Sequence, residues 1–170
     1  MKTKSVFFMM LCLFTGIVAE AQTTTKIYLL RHADRTNGDD LTPLGLARAN
    51  DLKRYLTPTR VHALFSTNFV RTRKTLLPLE TQQRPITLYA NTSALITQIR
   101  SNWTGRRVIV VGHSDTVPAI VQACGCASPF PALGIPSNQY DNLLLLIVHW
   151  SPAGVPTCEL LAMKYGGNTP

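Results

Sequence analysis

Arg31-His32 and Gly112-His113 each stand where an apolar run stops, at the ends of residues 27–30 and 108–111. A third segment, STNFVRTRKT at 66–75, follows the mostly apolar stretch 61–65 and delivers Arg71 and Arg73. Two imidazoles and two or three guanidiniums gathered in one place, with no carboxylate cluster beside them, repel one another unless an anion sits between them. Guanidinium forks match phosphoryl oxygens, and a neutral imidazole can attack phosphorus or carry a proton. The candidate catalytic set is therefore Arg31, His32, Arg71 and His113, with Asp115 as a candidate acid and Ser114 as a further substrate-binding group.

For these residues to meet, three strand ends must open on one edge. Residues 26–30, 61–66, 86–89 and 108–111 read as strands, separated by helical stretches at 43–56, 70–79, 93–103 and 116–124. Thr42 and Pro43 form a strong helix start, a hydroxyl cap followed by a proline at the first helical position. Runs that are apolar at every position are buried on both faces. Alternation with helices then implies a three-layer α/β/α sandwich with a mostly parallel sheet. Segments 143–150 and 158–164, joined by a turn at 151–156, read as an antiparallel hairpin at one edge; 128–142 reads as loop. Ligands of such sheets bind beyond the carboxyl ends of the strands.

At 170 residues the chain suits one domain, 22–170, behind a signal peptide at 1–21: Lys2 and Lys4, an apolar run at 6–19, then Ala19-Glu20-Ala21. That run is too short for a retained spanning helix, which needs about 20 residues, so an exported, periplasmic or secreted protein without a stable membrane anchor is expected. Removing Lys2, Lys4 and Glu20 from 17 basic and 9 acidic residues leaves 15 and 8, a net charge of +7. The basic residues form no stripe with interleaved aromatics, which argues against nucleic acid. Cys124, Cys126 and Cys158 remain in the mature chain; one disulfide joining Cys158 to Cys124 or Cys126 is plausible in an exported protein. C-G-C is not a zinc spacing, and no metal or other cofactor is expected. His62 and His149 are lone strand histidines with structural roles. Arg73 and Lys74 either add to the anion field or form a solvated helix face.

LLRHAD, STNFVRTRKT and VVGHSDTVP, in that order and each at a strand end, resemble the histidine phosphatase superfamily, the phosphoglycerate-mutase-like fold, and look closest to its small phosphohistidine-phosphatase-like branch. DDLTPLGLARAN is similar to the L-T-x-x-G-x-x-x-A segment that comes after the first motif, and YDNLLLLIV to the terminal strand of exported members; the resemblance spans roughly residues 26–166. It implies that His32 takes the phosphoryl group, that Arg31, Arg71 and His113 hold its oxygens, and that water hydrolyses the phosphohistidine without a metal. A phosphomutase of the same fold and a non-catalytic binder of phosphorylated ligands are the rival readings.

The chain departs from the larger members at the proton donor. They carry a glutamate well after the Arg71-type motif, whereas residues 81–114 contain neither Asp nor Glu. Asp115 is the best substitute, and it is equally suited to cap the helix starting near Thr116. Asp34 is weaker, with a salt bridge to Arg35 as its alternative role. A general acid contributes roughly 10²–10⁴-fold, so its absence points to small or activated phosphoesters and phosphoramidates, whose leaving groups need little protonation.

Overall fold

The computed structural model describes residues 23–131 and 134–169; the expected signal peptide lies outside the described residues. Four strands, β1 (Thr25–Arg31), β2 (Ala63–Ser66), β3 (Ile86–Leu88) and β4 (Arg107–Gly112), are mutually parallel, and β5 (Asn142–Trp150) and β6 (Pro156–Lys164) close one edge. The sheet order is β3-β2-β4-β1-β5-β6, with β5 antiparallel to both β1 and β6. This is the expected mostly parallel sheet with an antiparallel edge.

Alternate residues of the central strands serve opposite faces. Ile27, Leu29, Val108 and Val110 pack beneath α3 (Thr92–Trp103) and α4 (Thr116–Ala123), through Leu95, Ile99, Val117 and Ile120. Tyr28, Leu30, Ile109 and Val111 meet Leu52, Leu56 and Leu76 of α1 (Pro43–Leu56) and α2 (Val70–Leu76) on the other side. Each fully buried leucine or valine contributes roughly 1.5–3 kcal/mol, and the three layers result from that two-sided burial. β2 is buried throughout, and β1 and β4 at every residue but Lys26 and Arg107; β3 and β6 are edge strands with half-exposed side chains.

Local signals set the helix boundaries. Thr42 caps α1 by accepting the Gly45 amide at 3.0 Å, and its own amide donates to the Asp34 carbonyl at 3.0 Å. A Cβ on Gly45 would collide with that carbonyl, so the glycine lets α1 lie against the segment after His32. The helix expected at 70–79 ends at Leu76, and a 3₁₀ turn, Leu77–Leu79, carries the chain around Pro78, a residue with no amide to continue the ladder. Cys126, just past α4, is joined to Cys158 of β6, and Cys124 is buried and free. Closing a loop of 32 residues' separation stabilises by about 3–4 kcal/mol in the chain-entropy account, and it fastens the hairpin to the helical layer. Among the described residues no helix is long and apolar enough to cross a membrane.

Candidate active site

Strand register brings the two histidines together. In the parallel β1–β4 pair, Arg31 lies opposite Gly112, so the next residue of each strand, His32 and His113, emerges at the same sheet edge. The His32 amide donates to the Gly112 carbonyl at 3.0 Å, and the two imidazole centroids are 5.6 Å apart, edge to face. Gly112 is required by crowding: a Cβ there would stand 2.6 Å from Thr116 Oγ1 and 3.0 Å from the Tyr89 hydroxyl oxygen. Thr116 Oγ1 in turn accepts the His113 amide at 2.6 Å. Thr75 ties the first and second motifs together. Its hydroxyl donates to the Arg71 carbonyl at 2.8 Å and accepts the Ala33 amide at 2.9 Å.

His32 is almost fully buried, and its Nδ1 lies 2.8 Å from the Ala33 carbonyl oxygen. A carbonyl can only accept, so Nδ1 carries the proton and Nε2 holds a free lone pair. Burial pushes the pKa of His32 down to about 3; the hydrogen bond to Ala33 opposes that shift, and Arg31, Arg71 and His113 reinforce it. The ring is thus neutral at physiological pH, the state in which Nε2 is nucleophilic.

His113 is held from its other side. Its Nε2 lies 2.9 Å from Thr67 Oγ1, Thr67 lies 3.1 Å from Thr72 Oγ1, and Thr72 donates to the carbonyls of Thr67 and Phe69 at 3.0 and 2.9 Å. The carbonyl ends fix the direction of the chain. With the Thr72 hydrogen committed to a carbonyl, Thr67 donates to Thr72, and Thr67 Oγ1 accepts from His113 Nε2. The proton therefore sits on Nε2, and Nδ1 turns its lone pair to Arg71 Nη2, 3.4 Å away. The pKa of His113 is lowered by burial and by Arg71, with Asp115 pulling the other way.

The two arginines are placed differently. Arg71 Nη1 donates to Asp39 Oδ1 at 2.6 Å, while Asp39 Oδ2 accepts the first amide of α2, that of Val70, at 2.9 Å. That amide bond, helped by Arg71 and opposed by desolvation, holds the Asp39 carboxyl below its ordinary range. Arg31 Nη1 donates to three carbonyls of the loop before β5, those of Pro136, Ser137 and Gln139, at 3.0, 3.1 and 3.2 Å, and the guanidinium stacks 4.4 Å from the Tyr140 ring centroid. Burial lowers the pKa of Arg31, yet its ordinary value is high enough that it stays a cation. The Nε atoms of both arginines are buried and unpaired among the described residues, so each guanidinium keeps donor capacity beyond its structural bonds.

The candidate acids fall on their structural side. Asp115 is exposed and caps α4, accepting the Thr116 amide at 2.8 Å. Asp34 does not pair with Arg35. Its Oδ2 accepts from Nε of Arg48 at 2.6 Å, and Arg48 also donates to the carbonyls of Tyr165 and Gly167 at 3.2 and 2.6 Å. Arg48 comes from the second turn of α1 and is almost wholly buried, whereas Arg35 is exposed and its guanidinium donates to the neighbouring carbonyls of Thr36 and Gly38. Ser114 engages the loop through its backbone, its carbonyl accepting the Ile135 amide at 3.0 Å. Arg73 lies beside Val70, Lys74 and Leu77 in a surface groove, and Lys74 pairs with Asp40 at 2.7 Å. His62 and His149 take structural contacts: the Arg107 amide donates to His62, and Thr24 meets His149. Five residues of this site, Asp39, Thr67, Phe69, Thr72 and Tyr140, lie inside the quoted segments DDLTPLGLARAN, STNFVRTRKT and YDNLLLLIV, but the sequence alone gives none of them a role. Asp39 and Tyr140 come from loops, whose course no periodicity announces.

The chain has the phosphoglycerate-mutase-like fold of the histidine phosphatases. No protein-family profile matches it, and no curated protein matches it in sequence. Solved structures do. The native structure of a mycobacterial glucosyl-3-phosphoglycerate phosphatase is 12% identical, with a TM-score of 0.62 over 84% of this chain and 100% of that one. An Agrobacterium tumefaciens protein provisionally assigned as the phosphohistidine phosphatase SixA is 18% identical, with a TM-score of 0.51 over 84% and 98%. An Escherichia coli protein provisionally assigned as an alpha-ribazole-5'-P phosphatase is 14% identical, with a TM-score of 0.53 over 85% and 98%. These likenesses establish the fold; the chemistry rests on the side chains.

Proposed function

We propose that this chain is a metal-independent phosphatase, exported from the cell, that hydrolyses small or activated phosphoesters and phosphoramidates through a phosphohistidine intermediate on His32. The observation that carries the reading is the pair of oriented imidazoles 5.6 Å apart, one of them with a free Nε2 lone pair, beside two guanidiniums at one sheet edge. His32 Nε2 attacks phosphorus, and the bond from phosphorus to the leaving atom breaks with its electron pair going to that atom. Arg31 and Arg71 offset the charge on the transferring oxygens, an effect commonly worth roughly 10²–10³-fold per donor, and His113 holds the Arg71 guanidinium through its Nδ1 lone pair. Water then attacks the phosphohistidine, the N–P bond breaks back to His32, and orthophosphate leaves.

Export draws support from the Cys126–Cys158 disulfide, which suits an oxidising compartment. A preference for activated substrates draws support from the carboxylates. Asp34 is locked to Arg48, Asp39 is held low beside Arg71, and Asp115 is an exposed cap, so none of the three stands free as a proton donor.

Incubation with ³²P-labelled acetyl phosphate, quenched in alkaline detergent, tests the mechanism. The expected result is an acid-labile, base-stable phosphoprotein that turns over in water and is absent from His32→Asn. Stable binding with no label on the protein would favour a non-catalytic phosphate binder, and transfer of label to an added phosphorylated acceptor would favour a mutase. p-Nitrophenyl phosphate should be hydrolysed at least about tenfold faster than glycerol phosphate; equal rates count against the missing acid.

A further inference from the structure

Phe69 occupies a position that local structure does not explain. It is the residue before α2, where a short oxygen-bearing side chain would normally cap the helix; it makes no side-chain cap, and Asp39 reaches across from another loop to bind the Val70 amide instead. Core packing does not account for it either, since Phe69 is 44% exposed. Its ring stands edge to face with His113, 4.9 Å between centroids, and 4.3 Å from the Arg71 guanidinium carbon. A second aromatic bounds the same site from the other arginine. Tyr140 lies 5.9 Å from the His32 ring and 4.4 Å from the Arg31 guanidinium carbon, and its amide is anchored to Thr169 at 3.1 Å. The rings therefore run Phe69, His113, His32, Tyr140, with the two imidazoles in the middle and an aromatic at each end.

From this arrangement we infer that the leaving-group side of the site is built for a planar aromatic group, so that aryl phosphate monoesters are its substrate class. The inference rests on the phosphatase reading and names the substrate of that same site. A phosphoryl group held between the imidazoles must present its ester oxygen outward, and among the described residues Phe69 and Tyr140 are the aromatics that flank the two imidazoles. An aromatic pair in offset or edge contact contributes beyond the area it buries. The chemistry converges on the same class. An aryloxide departs with the electron pair of the broken P–O bond and takes its proton from water afterwards, so it needs no positioned carboxylic acid. The net reaction is aryl phosphate plus water giving phenol and orthophosphate.

Two measurements on the mature chain test the inference. The first is calorimetric binding of phenylphosphonate against methylphosphonate, neither of which can be hydrolysed. Phenylphosphonate should bind roughly five- to tenfold more tightly, and the ratio should fall towards unity in Phe69→Ala and be restored in Phe69→Trp. Equal affinity of the wild-type chain for the two phosphonates overturns the inference whether or not the chain is a catalyst. The second is the ratio of kcat/KM for p-nitrophenyl phosphate to that for acetyl phosphate, which should fall by a similar factor in Phe69→Ala. If both substrates lose rate equally, Phe69 only props His113 and Arg71, and the aryl site is refuted. If wild type turns over neither substrate yet keeps the phosphonate preference, the phosphatase reading fails while the aromatic site stands as a binding site.

Discussion

Arg31 and Arg71 flank the same pair of imidazoles and are secured by opposite means. Arg31 is buried and clamps a loop through three backbone carbonyls and an aromatic face. Arg71 sits at the start of a surface helix and is balanced by one carboxylate that is 43% exposed. Backbone carbonyls cannot titrate or leave without moving the loop, so the Arg31 side is preorganised by the fold. An exposed ion pair is worth about 0–1 kcal/mol, so Arg71 is held loosely enough to exchange its carboxylate for a substrate oxygen. One half of the cradle is architecture, and the other half is the responsive part.

The largest expected effect separates the two halves. Arg71→Lys keeps the charge but loses the planar fork, and should lower kcat/KM for p-nitrophenyl phosphate by roughly 10²–10³-fold with the thermal midpoint almost unchanged. Arg31→Lys should also lose rate, and in addition lose about 1–3 kcal/mol of stability, with faster amide exchange in residues 134–140. Steady-state kinetics beside a denaturation curve decides. If the two variants lose the same rate and neither loses stability, the two arginines are held alike and the contrast between them fails.

The histidines show the same division at smaller amplitude. His32 is oriented by a backbone carbonyl, His113 by the hydroxyl chain of Thr67 and Thr72. Thr67→Val preserves shape but leaves His113 Nε2 without its acceptor, freeing the ring to change tautomer and turn a proton towards Arg71. Turnover should fall about tenfold, a share of what a positioned proton-bearing group contributes, with a shift in the pH–rate profile that Thr67→Ser restores. A loss in Thr67→Val that serine does not rescue points to packing alone.

His32 also sets a pH signature for stability. Its folded pKa lies at about 3 against an ordinary 6.5, so between those values the unfolded chain binds a proton that the folded chain does not. Stability should fall as pH drops through that window, and urea midpoints of His32→Asn should fall less steeply than those of wild type. Parallel slopes would mean that the ring is not buried in its neutral form.

The strand-end chemistry is legible in the sequence because strand geometry is. Runs such as 108–111, apolar at every position, announce buried parallel strands, and the residues just past such a run emerge at the ligand edge. The Thr42 cap and the start of α1 at Pro43 are legible for the same local reason. The partners of the charged residues are not. Proximity along the chain pairs Asp34 with Arg35, whereas the fold delivers Arg48 from α1, fourteen residues on. The sequence narrows the disulfide to Cys158 with either of two cysteines, and the choice of Cys126 depends on where the chain turns after α4. Asp39, Phe69 and Tyr140 fall inside the quoted segments, yet their roles are not legible there, because a loop residue's place in a site is set by tertiary contacts that no period encodes.

Asp39 gives the smallest effect and the finest test of the division between the two halves. Asp39→Asn removes the negative charge beside Arg71 yet keeps an oxygen able to accept the Val70 amide, so the helix cap survives in large part. Stability should fall by no more than about 1 kcal/mol, the scale of a weakened cap plus a partly exposed ion pair. Arg71 meanwhile loses the carboxylate that occupies its Nη1, and phosphate no longer has to displace an anion. Orthophosphate should therefore bind a few-fold more tightly to Asp39→Asn, with the gain largest at low ionic strength, where exposed charges are least screened. The sign is the informative part. Weaker phosphate binding in the variant would mean that Asp39 aims the Arg71 fork at the site and is itself part of the fixed architecture, and the contrast between a rigid half and a responsive half would then reduce to one rigid cradle.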